Sequence, residues 1–149
     1  MNRFCMILLL FAAIGVAGCG SLAIPNPHEP TYPPALSIQR LGDVGDLYVY
    51  TTTPRPAVGQ SFVVSARVRA LTGLYAVNTA FSSPGLQGMD CQREVRGVPH
   101  GRDTWLGCQG TAHQAGTVTI TVSVSASTPA GEGARARANV QITVAQGGS

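Results

Sequence analysis

Between residues 117 and 126 the chain alternates without a break. Val118, Ile120, Val122, Val124 and Ala126 take the even positions, and Thr117, Thr119, Thr121, Ser123 and Ser125 the odd ones. A period of two puts every apolar side chain on one face of an extended strand and every hydroxyl on the other. A helix would scatter them. Ala134, Ala136, Ala138, Val140, Ile142 and Val144 repeat the plan against Arg135, Arg137, Asn139, Gln141 and Thr143. The intervening Thr128-Pro129-Ala130-Gly131-Glu132-Gly133 is turn chemistry, so the two runs are expected to form a hairpin. Phe62, Val64, Ala66, Val68 and Ala70 alternate in the same way with Val63, Ser65, Arg67 and Arg69, and 36–41, 47–51, 75–81 and 105–110 are shorter candidates. Pro54, Pro56, Gly59, Gly73 and the Pro84-Gly85 pair punctuate them. About seven short strands with no helical window predict an all-β fold, a two-sheet sandwich over residues 36–146 with a short tail at 147–149.

The N-terminus has another character. Arg3 precedes an apolar run from Met6 through Phe11 to Ile14, and small residues close it at Val16-Ala17-Gly18-Cys19. The run is too short and wrongly flanked for a membrane span, and reads as a signal helix over residues 1–18. Its ending resembles the lipobox of bacterial lipoproteins: a branched residue, two small ones and a cysteine. The resemblance implies cleavage before Cys19 and acylation of its thiol and nitrogen with long chains such as palmitate. Two or three such chains, at about 0.8 kcal/mol per buried methylene, make membrane attachment effectively permanent. It implies a bacterial cell-envelope address, at the outer membrane where there is one, because Gly20 is not the aspartate that retains some lipoproteins at the inner membrane. Residues 19–35 then form a lipid-anchored linker. Pro25, Pro27, Pro30, Pro33 and Pro34 fix φ and remove amide donors, so the stretch is expected to be an extended tether.

Charge narrows the partners. The 149 residues carry a formal net charge of +3, and charged residues are only 11% of the total. That is far from the basic surface that tracks nucleic-acid phosphates, so no nucleic-acid partner is expected. A surface diluted with hydroxyls fits an extracytoplasmic β-protein.

Several short motifs point to a family. Asp46-Leu47-Tyr48-Val49, the Pro56-Ala57-Val58-Gly59-Gln60-Ser61-Phe62 lead into a strand, Pro84-Gly85-Leu86, Ala115-Gly116 before the Thr/Val run, and Ala138-Asn139-Val140 occur in that order. Together they resemble the immunoglobulin-like modules of bacterial surface proteins, including the cell-adhesion-related domain. The resemblance implies an immunoglobulin-like sandwich with a spacer or adhesive role. Those modules usually come in tandem, and these 149 residues hold one copy.

With Cys5 in the leader and Cys19 acylated, Cys91 and Cys108 remain, an even pair in an oxidising compartment, and a disulfide is expected. A metal site with His100 or His113 is the competing reading. Neither cysteine belongs to a C-x-x-C pair, and the histidines lack zinc-type spacing, so no metal or other cofactor is expected. Residues 87–104 concentrate charge and read as a long polar loop pinned by the disulfide, with Trp105 packed on the sulfurs. Arg93, Arg96, His100, Arg102 and Trp105 are the candidate partner-binding residues there.

Gly131-Glu132-Gly133-Ala134-Arg135-Ala136 matches a dinucleotide fingerprint in letters, but strands flank it where a helix must follow. Neither G-x-S-x-G nor H-E-x-x-H occurs. The function expected is therefore non-enzymatic: a lipid-anchored envelope protein whose domain is structural or binds a protein partner. A glycan or small-ligand binder is the alternative, motivated by Tyr48, Tyr50, Trp105 and the paired arginines 67/69 and 135/137. A hydrolase built from His100, His113, Asp103 and a hydroxyl is a more distant one.

Overall fold

The computed structural model describes residues 32–98 and 101–147. The stretches expected to form the signal helix and the tether through residue 31, with Cys19 among them, and His100 lie outside them. Nine strands follow in order: β1 (Ser37–Leu41), β2 (Gly45–Thr51), β3 (Ser61–Ala70), β4 (Ala76–Ser82), β5 (Leu86–Gln87), β6 (Cys91–Arg96), β7 (Asp103–Ala112), β8 (Gly116–Ser127) and β9 (Gly133–Val144). The alternation at 117–126 lies in β8 and that at 134–144 in β9. They pair antiparallel from Gly116↔Val144 to Ser127↔Gly133, the hairpin expected from the turn between them.

The strands make two antiparallel sheets, β1-β2-β3-β7-β5 and β6-β4-β8-β9. Leu47, Val49, Val64, Val68 and Leu106 from the first and Val77, Phe81, Ile120, Val122, Val140 and Ile142 from the second are buried in one continuous core. The period of two thus does two jobs. It fills the space between the sheets with aliphatic side chains, each contributing about 1.5–3 kcal/mol by burial. It also dresses both outer faces with hydroxyl, amide, arginine and aromatic groups.

Two strands beyond the expected seven account for a correction. Residues 87–104 are not a long loop: β6 occupies the middle of the stretch and pairs with β4 from Ala76↔Arg96 to Phe81↔Cys91. Its Gln92-Arg93-Glu94 run hid it, because an edge strand carries charge where a central strand carries valine. β5 has only two residues, too few to show a period. Cys91 of β6 and Cys108 of β7 are joined in a disulfide with Cα atoms 6.2 Å apart, so the bond links one sheet to the other. Trp105 does not pack on it. Cys108 and Leu106 point inward, and Trp105 has the opposite parity on the same strand.

Two buried hydroxyls, those of Thr79 and Thr128, lack a hydrogen-bond partner among the described residues, and the first lies inside β4. Thr79 is fully buried. An unmade buried hydrogen bond costs about 1–3 kcal/mol, and valine has the same shape without that cost. Thr79→Val is expected to stabilise the domain by about 1 kcal/mol in urea unfolding. A loss of stability would mean that the hydroxyl has a partner such as a buried water.

Candidate functional site

The outward residues of the five-stranded sheet converge on one feature. Pairing across three strands sets Tyr48, Arg67 and Trp105 in a single row, with Tyr50, Ser65 and Gly107 in the next row and Asp46, Arg69 and Asp103 on the other side. Tyr32, ahead of β1 in the stretch read as the end of the tether, brings its ring to 4.8 Å from the Trp105 ring. Tyr50 lies 5.1 Å from Trp105, and Tyr48 stacks 6.4 Å from Tyr50. Pairs at these spacings contribute about 0.5–1.5 kcal/mol each beyond their burial. Tyr50 is buried under the others, whereas Trp105 stays 38% exposed.

Arg67 runs through the cluster. Its guanidinium carbon sits 4.5 Å from the Tyr32 ring centre and 5.3 Å from that of Trp105. Its Nε donates to both carboxylate oxygens of Asp103, at 2.9 and 3.0 Å, and an Nη donates to Oδ2. Hydrogen bonding to Asp103 is the main cause that holds the guanidinium's pKa above its ordinary value; burial opposes it and the charge of Asp103 adds to it. The planar fork fits the carboxylate, and the flat cation fits the rings. Neutralised by Asp103 and clamped by aromatics, Arg67 acts as a rivet that fixes the rings in place.

Two hollows flank the cluster. One, of about 220 Å³, is lined by Tyr32, Pro33, Tyr50, Thr51, Thr52, Ser65 and Trp105. The Thr51 hydroxyl donates to the Thr53 carbonyl and the Thr52 hydroxyl accepts from the Val63 amide, and almost all of the surface the hollow exposes is hydrocarbon. The other, of about 520 Å³, is lined by Asp46, Tyr48, Arg69, Ala70, Leu71, Arg102 and Asp103.

The structure does not gather the residues expected from the polar segment. Arg93 is exposed on β6 at the rim of the sandwich, opposite Thr79. Arg96, also on β6, is ion-paired to Glu94 at 2.7 Å. Arg102 and Trp105 stand on the other sheet, at the second hollow and the aromatic cluster respectively. Nor do the two arginine pairs make one stripe: 67 and 69 lie on β3 of one sheet, 135 and 137 on β9 of the other. Asp103 and His113 bracket β7 at opposite ends, roughly 30 Å apart at strand spacing, so they do not assemble a hydrolytic site. Among the described residues no group of three or more His, Cys, Asp and Glu side chains comes together.

Sequence reasoning had Tyr48, Tyr50 and Trp105 without their neighbours. Parity was the available signal, since all three take the outward phase of strands whose inward phase is aliphatic. Tyr32 and the Arg67–Asp103 pair depend on pairing across 36 residues and more, which periodicity does not encode.

No protein-family model matches the chain, and no curated protein matches it. Among solved structures it is similar to the cupredoxin domain of amoB from Nitrosocaldus yellowstonii, with 11% identity and a TM-score of 0.40, over 73% of this chain and 91% of that one. It is also similar to BslA, a bacterial hydrophobin, with 14% identity and a TM-score of 0.36, over 74% of this chain and 100% of that one. At such values the architecture of this chain rests on its own strand order and register.

Proposed function

We propose that this chain is a lipid-anchored, non-catalytic immunoglobulin-like module of the bacterial envelope that docks a protein partner on the outer face of its five-stranded sheet. The observation that carries the reading is the riveted aromatic platform of Tyr32, Tyr48, Tyr50 and Trp105 around Arg67. Trp, Tyr and Arg are the residues in which interface energy concentrates, and fixed rings lose little entropy on binding. The strand order supports the immunoglobulin-like description. Taking β2, β3 and β7 as A, B and E, and β4, β8 and β9 as C, F and G, reproduces the central strands of that fold's two sheets in chain order, with β1 added. The edge strands β5 and β6 fill the D and C′ places in the reverse of the usual chain order, and the disulfide departs from the usual B–F bond by joining β6 to β7. The lipobox at Cys19 and the prolines after it support the anchor and tether. The separation of Asp103 from His113 supports a non-catalytic role.

An aromatic photo-crosslinking residue in place of Tyr48, which keeps a ring at that point of the platform, and another at 125, on the opposite sheet, test the reading in intact cells. Crosslinking to a protein is expected from 48 and not from 125. Trp105→Ala should cut it at least tenfold while shifting the melting temperature by only a few degrees, because the indole is partly exposed. Equal labelling from both faces, or labelling indifferent to Trp105→Ala, would sink the docking surface. Trp105-dependent retention on neutral glycans instead would favour the glycan-binding alternative. The same mass spectra read the acyl groups on Cys19.

A further inference from the structure

The two hollows beside the platform differ in chemistry, and the difference specifies a partner. Three ion pairs occur among the described residues: Arg40–Asp46, Arg67–Asp103 and Arg96–Glu94. Two of them lie on the outer face of the five-stranded sheet, where they occupy both carboxylates that line the larger hollow. Arg69 and Arg102 line that same hollow and are exposed, and neither takes part in an ion pair among the described residues. The larger hollow therefore presents two guanidinium groups that stand outside any ion pair among the described residues. The smaller hollow presents almost only hydrocarbon.

Resting on the reading of this face as a docking surface, we infer that it takes an extended acidic peptide segment, with an apolar or prolyl side chain in the Tyr32–Trp105 hollow and a carboxylate on Arg69 and Arg102. The register sets the spacing. Tyr50 belongs to the row at the apolar hollow and Asp46 to the row at the basic one, four residues apart along β2. That is about 13 Å, or about four residues of an extended or polyproline-type peptide laid along the strand. Aromatic ridges bind such backbones by stacking on rigid side chains, and arginine forks select carboxylates. A sugar ring would need polar groups spread around the apolar hollow, whose exposed lining is almost all hydrocarbon.

The test is panning of a random twelve-residue peptide display library on the full-length chain held in detergent, followed by binding of the synthetic winners. Enriched sequences should place an Asp or Glu three to five positions from an apolar residue or proline. The double variant R69E/R102E should weaken these peptides at least tenfold, and raising salt from about 50 to 500 mM should weaken them in the wild type alone. Peptides whose acid is replaced by its amide should bind both proteins alike. Trp105→Ala should abolish binding of every winner. Enriched peptides that lack the spaced acid, or that ignore R69E/R102E, overturn this inference and leave the aromatic docking surface standing. A library that yields nothing dependent on Trp105 overturns both.

Discussion

Replacing Cys91 and Cys108 together by alanine is expected to lower the stability of the domain by about 3 kcal/mol and its melting temperature by roughly 10–20 °C. The bond spans a sequence separation of 17, and closing a loop of that size removes about 3 kcal/mol of chain entropy from the unfolded state. Where it sits matters as much. It joins β6, the edge of one sheet, to β7, whose outer neighbour β5 has only two residues. That side of the sandwich is closed by a covalent link where the hairpin side is closed by long strands. Hydrogen exchange in the double variant should therefore quicken across residues 86–96 and stay slow in β8 and β9. Cys108 is almost fully buried, so a small cavity term adds to the loss. Reducing the wild-type protein removes the bond without the cavity and separates the two. A melting temperature within about 3 °C of wild type would mean that the cross-link constrains little.

The sequence showed the parts of this fold in which burial repeats at a fixed period. β3, β8 and β9 are long enough for the alternation to be unmistakable, and each lies in the phase read for it. β6 was illegible for a physical reason. Arg93 occupies an inward position between Cys91 and Val95, and an edge strand can place a charge there because its side chain leaves the sandwich at the rim. A scan for apolar periodicity reads such a strand as loop. The placement of Trp105 on the sulfurs failed on parity, which the spacing of 105 and 108 already contained: three residues apart on a strand, they cannot share a face.

The site was legible only in fragments. Tyr48, Tyr50 and Trp105 announce themselves as large rings in an outward phase, but nothing local says that they meet. They meet because β3 lies between β2 and β7 and puts Arg67 opposite both Tyr48 and Trp105. The polar segment drew attention through its charge density. Yet its arginines are dispersed over two sheets, and the functional weight moves to Arg67, whose charge is already satisfied by Asp103. A half-buried, partnered arginine positions other groups; Arg69 and Arg102, outside any ion pair among the described residues, are the ones the proposed docking uses.

The second large effect is expected at Gly45, the first residue of β2. A Cβ built there would lie 2.7 Å from the Cα of Ala70 and 2.9 Å from the carbonyl carbon of Arg69. Both are backbone atoms of β3 in the register that pairs Gly45 with Ala70, so no side chain can swing aside. Even Gly45→Ala must push β2 away from β3, and overpacking of this kind costs about 1–3 kcal/mol or more. The displacement would reach the site, because Asp46, Tyr48 and Tyr50 follow on the same strand and take their places from that pairing. Gly45→Ala should therefore lower the melting temperature by roughly 10 °C or more and also blunt the change in Trp105 fluorescence on ligand binding. Gly59→Ala is the matched comparison. Gly59 has a φ of 84° but nothing within 4 Å of its Cβ position, so alanine there meets backbone strain without a clash. Its cost should stay at about 1–2 kcal/mol, with the platform undisturbed. If the two substitutions proved equally mild, β2 and β3 would not be as tightly apposed at their ends as the register requires. The platform would then have to be held by Arg67 and Asp103 alone.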